Sequence, residues 1–306
     1  MIDLVSRITN RDFSALAKAI TIVENQSPGF EELLSNLYSH RKNTHKIGVT
    51  GPPGSGKSTL TSKIAKEYIN QNKTIGIICV DPSSPFNGGA ILGDRIRMQE
   101  IYNHENIFIR SLATRGSLGG LSKAVSDIEI LLEAFGFDII IYETVGVGQV
   151  ELDVASCADS VILVLTPESG DDIQMMKAGL IECASIIVIN KSDRSGADKM
   201  KLILDQIIEL GIKPWRIPVI KTIAIKNNNI EKILESITEH YLFLKSNQLI
   251  ARKNNQKYID SIKEIVKDYS IKNFFNSSVM NVVNEELEKS VKERLSPYKV
   301  FEKIQK

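Results

Sequence analysis

The sequence predicts an α/β protein built on a doubly wound, mostly parallel β-sheet, and two features carry this prediction. Short apolar runs alternate with amphipathic helical patterns between residues 46 and 242. The runs are apolar at consecutive positions, which is typical of strands that helices bury on both faces. Helical patterns also precede and follow this region, so we expect an N-terminal helical preface and a C-terminal helical arm.

The strands and helices of the central region can be assigned in order. Runs predicted as strands lie at 46–50, 74–80, 107–111, 138–142, 160–165, 185–189 and 218–223. Apolar residues spaced by three and four positions at 60–68 and 125–135 predict helices between strands. This alternation is why the sheet is expected to be parallel.

Helices are predicted on either side of this region. Residues 10–40 indicate two helices separated at Ser27-Pro28-Gly29. Near the other end, apolar positions recur every four residues from 279 to 295, which is typical of an amphipathic helix ending before Pro297. The predicted domains are 1–45, a helical segment; 46–245, the α/β domain; and 246–306, the arm.

The arm has two interpretations. It packs against its own domain, or it pairs with the arm of a second subunit. The second is favoured, because an apolar stripe extending past the sheet would otherwise face water.

Composition limits the possible partners. The chain has 306 residues, of which 42% are hydrophobic and 25% charged, and a formal net charge of +1. This balance lacks the basic excess of most nucleic-acid-binding proteins, so no nucleic-acid partner is predicted. No secretory signal is visible, and the apolar runs are far below the roughly 20 residues that cross a bilayer. We expect a cytoplasmic protein with no membrane association.

The cysteines and histidines do not indicate a transition-metal centre. Cys79, Cys157 and Cys183 are far apart, and each lies in or beside an apolar stretch. We expect all three in the core, where a small thiol packs well. The four histidines form no cluster and have no metal-binding spacing with cysteine.

A glycine-rich segment between a predicted strand and a predicted helix has the spacing of a phosphate-binding P-loop. Its residues are Gly51, Pro52, Pro53, Gly54, Ser55, Gly56, Lys57, Ser58 and Thr59. Glycines at this spacing let backbone N–H groups wrap a β-phosphate at a helix N-terminus. Lys57, a predicted catalytic residue, then reaches the β- and γ-phosphate oxygens, and Ser58 ligates Mg²⁺.

A second motif predicts which base is bound. Asn190-Lys191-Ser192-Asp193 follows an apolar run, so the Asp193 carboxylate can accept hydrogen bonds from N1–H and the exocyclic amino group of guanine. Adenine offers no such pair and would leave the carboxylate unpaired. GTP and GDP are therefore the predicted nucleotides.

A further base contact is expected at the end of the next strand. Thr222-Ile223-Ala224 lies where many GTPases have a Ser-Ala pair, and here the serine is missing. Any contact must therefore come from the backbone of Ile223, Ala224 or Ile225.

Oxygen ligands for Mg²⁺ and groups that act on the γ-phosphate are predicted near the strand ends. Asp81 and Glu143 end strands, and Asp94 lies in a glycine-rich stretch. A surface carboxylate or a helix cap is the alternative for each. Gly146 is predicted to sense the γ-phosphate through its N–H, and Glu143 to act in catalysis. Gln149 is a candidate for orienting the attacking water, with a solvated loop residue as the alternative.

Two loops are predicted to move with the nucleotide, because they leave strand ends on its side and mix glycine with charge. They span 81–90 and 166–174. Four arginines are candidates for stabilising transition-state charge, with a solvated or structural role as the alternative for each: Arg95, Arg97, Arg110 and Arg115.

With these motifs the chain resembles the MeaB/ArgK family, the methylmalonyl-CoA mutase-associated GTPases, over nearly its whole length. The resemblance rests on residues 17–24, 48–59, 81–85, 88–95, 115–120, 143–149 and 190–193. It implies a homodimeric GTPase whose slow GTP hydrolysis gates the loading of adenosylcobalamin into an acyl-CoA mutase and protects or reactivates that mutase.

The resemblance also implies residue roles. Lys57 and Ser58 match the family's phosphate and Mg²⁺ residues, and three carboxylates match its acidic metal-site positions: Asp81, Asp94 and Glu143. Lys177 and the loop 166–177 match a segment that responds to nucleotide when the mutase is bound. This loop departs from the usual Pro-Gly-x-Gly-Asp pattern, and Val150 replaces a common serine.

Three other functions are alternatives to this one. A GTPase metallochaperone for nickel or zinc shares this type of domain, but such proteins carry Cys- or His-rich motifs that this sequence lacks. A small-molecule or protein kinase is disfavoured by the guanine-binding motif. A binding adaptor that keeps nucleotide only as structure is the third.

Overall fold

The computed structural model describes residues 2–81, 98, 100–102, 104–113, 120–144, 150–170, 179–211 and 214–304. The chain divides into two compact units, Met1–Gln248 and Leu249–Lys306. The first unit contains the sheet, and the second is helical.

A parallel β-sheet forms the centre of the first unit. Its strands are β1 His45–Thr50, β2 Ile75–Asp81, β3 Ile107–Ala113, β4 Ile139–Thr144, β5 Ser160–Leu165, β6 Ile186–Ile189 and β7 Val219–Lys221. The described residues form a seven-stranded sheet in the order β3-β2-β4-β1-β5-β6-β7, and its strand pairs are parallel. The predicted α/β class and each predicted strand are confirmed.

Helices accompany the strands and form the preface. They are α1 Ile2–Thr9, α2 Phe13–Glu24, α3 Phe30–Tyr38, α4 Lys57–Asn70, α5 Gly120–Phe135, α6 Val150–Cys157, α7 Leu180–Cys183, α8 Ala197–Glu209 and α9 Ile230–Ser246. The predicted break at residues 27–29 separates α2 from α3. Helix α1 was not predicted, because it buries only Leu4 and Ile8 and so offers too few repeats to reveal a period.

Consecutive residues of each strand enter the cores on opposite faces of the sheet. In β4, Ile139 and Ile141 join one apolar cluster with helices α4 and α9, whereas Ile140 and Tyr142 join another with α5 and the preface helices. Both clusters consist of buried residues. This is why the strands are apolar at successive positions.

Two of the three cysteines lie in the core as predicted. Cys79 and Cys157 are buried, but Cys183 is exposed, so the prediction was wrong for this residue. Helix α7 makes a single turn, and its Leu180 and Ile181 pack against the apolar cluster beside β5 and β6. The last residue of the turn therefore lies off that face.

The amino-terminal edge of the sheet contains a buried ion cluster. The Lys46 ammonium donates to Glu129 Oε1 at 3.0 Å and to Glu133 Oε1 at 2.7 Å, both on α5. Burial by itself would lower the pKa of Lys46, but the carboxylates of Glu129, Asp159 and Glu133 raise that pKa above its usual range. Lys46 is therefore charged, and it ties β1 to α5.

Beside the ion cluster, two histidines share one serine hydroxyl. Ser160 Oγ lies 2.8 Å from His45 Nε2 and 2.8 Å from His240 Nδ1. The three side chains are buried and join the starts of β1 and β5 to α9. Because the hydroxyl has one proton, it can donate to at most one ring, so at least one histidine N–H donates to it.

The second unit contains α10 Leu249–Phe274, α11 Ser277–Leu287 and α12 Pro297–Ile304. The predicted continuous stripe from 279 to 295 is therefore wrong, since α11 ends at Leu287. The Arg294 side chain folds back and donates to Leu287 O at 2.8 Å and Lys289 O at 3.1 Å. Arg294 therefore donates to carbonyl groups that would accept backbone N–H groups if the helix continued. Among the described residues no helix is both long and apolar enough to cross a membrane.

Candidate functional site

The P-loop follows β1 at the carboxyl edge of the sheet and leads into α4. Gly51, Gly54 and Gly56 have φ angles of 141°, 74° and 89°. A Cβ atom would lie 2.1 Å from Val164 O at Gly51 and 2.3 Å from Asn190 Nδ2 at Gly56. Glycine is required at both positions, because the neighbouring atoms are backbone or a hydrogen-bonded amide.

The first turn of α4 presents the lysine and serine of the motif. The Lys57 ammonium donates to Gly51 O at 2.7 Å and to Pro52 O at 3.0 Å, which keeps the charge inside the loop. Ser58 Oγ donates to Glu143 Oε1 at 2.5 Å. Two predicted Mg²⁺ residues that are 85 positions apart are thus in contact.

The remaining predicted metal and γ-phosphate residues are only partly described. Residues Cys79 and Glu143 are partners in the pairing of β2 with β4, and Asp81 ends β2 at the same edge of the sheet. Asp94, Gly146 and Gln149 lie outside the described residues. Within the described part of the chain no group of three His, Cys, Asp or Glu residues could hold a metal ion. The hydroxyl and carboxylate oxygens that do meet, on Ser58 and Glu143, fit a hard cation such as Mg²⁺.

The predicted guanine-binding motif is joined to the P-loop at two points. Asn190, which is buried, donates from Nδ2 to Ser55 O at 2.8 Å and accepts at Oδ1 from Ala224 N at 3.1 Å. Lys191 donates from Nζ to Gly54 O at 2.8 Å. The segments predicted to hold base and phosphate therefore form one hydrogen-bonded unit.

A pocket opens between these segments. Its lining residues are Gly56, Thr59, Asn190, Lys191, Asp193, Arg194, Ile223, Ala224 and Ile225. Three sequence segments predicted to bind the nucleotide thus converge on one cavity. Arg194 was not predicted.

Backbone amides at the end of the next strand differ in their availability. Ala224 N donates to Asn190 Oδ1, and Lys226 N donates to Ile223 O at 2.9 Å. Between them, the Ile225 amide has no acceptor among the described residues. It is therefore a candidate donor to a bound base.

Two side-chain hydrogen bonds also hold this turn in place. The Thr222 hydroxyl donates to Asn228 O, and Asn229 Nδ2 donates to Lys221 O at 2.8 Å. Asn227 and Asn229 have positive φ angles of 54° and 57°, which asparagine tolerates better than most residues.

One of the four candidate arginines lies within the described residues. Arg110 lies on β3 and donates to Glu24 at 3.0 Å and to Thr21 at 3.2 Å, both on α2. It has the structural role that was weighed as the alternative. The other three arginines and Lys177 lie outside the described residues, as do residues 82–90 of the first predicted loop and 171–174 of the second.

Two charged residues near the site were missed. Arg194 follows the guanine-binding motif directly, but a lone arginine in a loop carries no recognisable signal. Glu151 is half-buried in the first turn of α6. Burial raises the pKa of its carboxyl, and the Lys57 ammonium partly opposes this rise.

Comparisons with known sequences agree with these motifs. The sequence model of one family, described as methylmalonyl-CoA mutase-associated GTPase MeaB, matches residues 16–278. A Pyrococcus horikoshii protein described as a GTPase is 45% identical over 269 residues, which cover 86% of this chain and 85% of that protein. GTPase ArgK of Escherichia coli is 32% identical over 281 residues, covering 89% of this chain and 85% of its own.

Two further comparisons extend the likeness. The mitochondrial methylmalonic aciduria type A homolog of Mus musculus is 34% identical over 266 residues, or 79% of this chain and 64% of that protein. Among solved structures, a crystal structure of LAO/AO transport system kinase matches with a TM-score of 0.74 and 25% identity. That match covers 99% of this chain and 96% of the other.

Proposed function

The chain belongs to the MeaB family of methylmalonyl-CoA mutase-associated GTPases, and on this premise we propose that its GTP hydrolysis serves an adenosylcobalamin-dependent acyl-CoA mutase. In this role the protein gates the loading of adenosylcobalamin and protects or reactivates the mutase. The main support for the nucleotide site is that Asn190 and Lys191 donate hydrogen bonds to the P-loop carbonyls of Ser55 and Gly54.

The phosphate end of the proposed site works through positioning and charge. P-loop N–H groups and Lys57 hold the β- and γ-phosphates, with Lys57 exchanging its present carbonyl acceptors for phosphate oxygens. Ser58 would hold Mg²⁺, with Asp81, Asp94 and Glu143 placing or completing its shell, and the bound ion would supply charge neutralisation. Gly146 N–H contacts the γ-phosphate, and Gln149 orients the attacking water.

At the base end of the proposed site, recognition depends on one acceptor and one donor. The Asp193 carboxylate accepts from guanine N1–H and from the amino group, and the Ile225 amide donates to the O6 atom. The Ile223 and Ala224 backbone shapes the wall beside them. The pattern rejects adenine, which reverses both requirements.

The partner is proposed from family membership. The family description names an association with methylmalonyl-CoA mutase, and the mouse relative is named for methylmalonic aciduria. We propose that mutase or a related enzyme as the partner, with GTP turnover that is slow alone and faster when the partner is bound.

A homodimer is proposed from the second unit. On α10, side chains at helical spacing expose large apolar surfaces: Tyr258, Ile262, Ile265 and Tyr269 are 54%, 45%, 58% and 70% exposed. Spacings of four, three and four residues place them on one face, as in a helix that packs against another. The division into 1–45, 46–245 and 246–306 is proposed with this pairing role for the last segment.

One experiment tests the function directly. Phosphate release from GTP and from ATP is measured with and without an adenosylcobalamin-dependent mutase from the same organism, together with co-purification of the pair. We expect slow GTP turnover that the mutase accelerates, and no turnover of ATP. Lys57→Ala should lose turnover; if this variant still protects the mutase, the adaptor hypothesis replaces the one proposed. A mutase that neither binds nor changes turnover contradicts the partner but leaves the GTPase activity intact.

A further inference from the structure

An ion pair links the base pocket to a turn outside it. Arg194 lines the pocket, and its Nη1 atom donates to Glu168 Oε1 at 2.5 Å. Glu168 belongs to the one-turn 3₁₀ helix Pro167–Gly170, which directly follows β5. Hydrogen bonding from Arg194 holds the pKa of the Glu168 carboxyl below its usual range. The Glu168 carboxylate is thus charged at neutral pH.

The loop that contains Arg194 is tied to the P-loop on one side and lies beside the 3₁₀ turn on the other. On the P-loop side, Lys191 bonds to Gly54 O, and Arg194 N closes a tight turn by donating to Lys191 O at 3.0 Å. On the other side, a Cβ atom on Gly196 would lie 3.8 Å from Pro167 Cβ, at van der Waals distance. The 3₁₀ turn therefore rests on the same loop that its glutamate contacts.

The chemistry of Arg194 suits a base contact. A guanidinium is planar and weakly hydrated, and it stacks well on aromatic faces. Its long side chain has many rotamers, so a partner that fixes one of them lowers the cost of making that contact. Glu168 is such a partner. Since the two side chains are 52% and 51% exposed, the pair is modest in strength and sensitive to salt.

We propose that Arg194 contacts the face of the bound guanine and that Glu168 is a positioning residue that holds Arg194 there. The turn after β5 then controls how fast guanine nucleotide leaves. This inference rests on the guanine site proposed above and is independent of the identity of the mutase.

Release of a ribose-labelled fluorescent GDP from the full chain tests the proposal. We expect release to be about threefold faster in Glu168→Gln and in Arg194→Ala, as the loss of an exposed pair or cation–π contact predicts. The double variant should release no faster than Arg194→Ala, because Glu168 acts through that arginine. Asp205→Asn is the matched control: it breaks an exposed Lys201–Asp205 pair of 2.8 Å on α8, away from the pocket, and should release GDP like the wild type.

The salt dependence of the release rate distinguishes loss of the ion pair from loss of folding. The ratio of the Glu168→Gln rate to the wild-type rate should fall towards one as NaCl rises from about 0.05 M to about 0.5 M, because salt screens the wild-type pair. Equal rates for wild type and Glu168→Gln at low salt would overturn the proposal. The proposal would also be overturned if the two single accelerations of GDP release multiplied in the double variant, or if Asp205→Asn accelerated release equally. Failure of the wild type to prefer labelled GDP over labelled ADP would instead contradict the guanine site itself.

Discussion

At the scale of single residues, Gly54 and Gly56 both adopt positive φ but face different surroundings. A Cβ at Gly56 meets Asn190 Nδ2 at 2.3 Å, whereas one at Gly54 meets nothing within 4 Å. We expect Gly56→Ala to weaken GTP binding at least tenfold, because Asn190 loses its place against the P-loop. Gly54→Ala should cost only the roughly 1–2 kcal/mol of left-handed strain in unfolding free energy. Titration calorimetry and urea unfolding measure the two effects, and equal losses of affinity would contradict this argument.

In the proposed site, Asp193 selects the base through its two acceptor oxygens. In Asp193→Asn an amide replaces one acceptor by a donor, which suits the C2 carbonyl of xanthine better than the amino group of guanine. We expect GTP affinity to fall by a factor of ten or more and affinity for xanthosine triphosphate to rise. Ser192→Ala in the same motif is the control and should keep the preference for GTP. A competition assay with both nucleotides would show an unchanged order if Asp193 did not read the base.

At the scale of elements, the shared serine at the amino edge makes the packing of α9 sensitive to acid. Burial and then the charges of His240, Lys245 and Lys46 lower the pKa of His45 to about 3. The unfolded chain takes up this proton near pH 6.5 and the folded chain does not, so the stabilisation is complete above that pH and is lost as the pH falls towards 3.

This linkage has a measurable size. Between pH 7.5 and pH 5.5 the free energy of unfolding should fall by about 1.4 kcal/mol through His45 alone. Urea unfolding at the two pH values measures the fall, and His45→Gln should reduce it by that amount. His104→Gln, which changes an exposed histidine, is the control. The same pH dependence in His45→Gln and wild type would show that His45 is not the group responsible.

The buried ion cluster ties β1 to α5. Lys46→Met leaves Glu129 and Glu133 buried with the Arg41 guanidinium as their remaining cation, which should lower the free energy of unfolding by about 3 kcal/mol. The triple variant Lys46→Met, Glu129→Gln, Glu133→Gln removes the excess negative charge and should recover part of that loss. Chemical unfolding of the set measures both changes. A single variant as stable as the wild type would mean that the cluster contributes nothing.

At the scale of the whole molecule, the exposed face of α10 determines the expected oligomeric state. Ile262→Glu with Ile265→Glu places two charges at the centre of the apolar face and should convert a dimer to a monomer, because burying a charge against a partner is costly. Sedimentation equilibrium measures the mass. Leu202→Glu is the matched control, since Leu202 is also exposed, at 65%, but lies on α8. A dimer that survives the double substitution would place the contact elsewhere.

The features that neighbouring residues encode could be predicted from the sequence alone. Seven strands follow from apolar runs, and the P-loop and the guanine-binding motif are each contiguous, with glycine, lysine and aspartate at spacings that backbone geometry requires. The two motifs were also expected to lie close together, because each follows a strand and the carboxyl ends of parallel strands meet at one edge of a sheet.

Tertiary structure decided whatever depends on side chains distant in the chain. The Arg194–Glu168 pair joins residues 26 positions apart, and Lys46 meets carboxylates more than 80 positions away. Cys183 is exposed because its helix makes one turn, and α11 stops at Leu287 because Arg294 folds back over its end. A periodic pattern reports which face of an element is apolar, but it does not report which distant partner a side chain will meet, because that depends on how the elements pack.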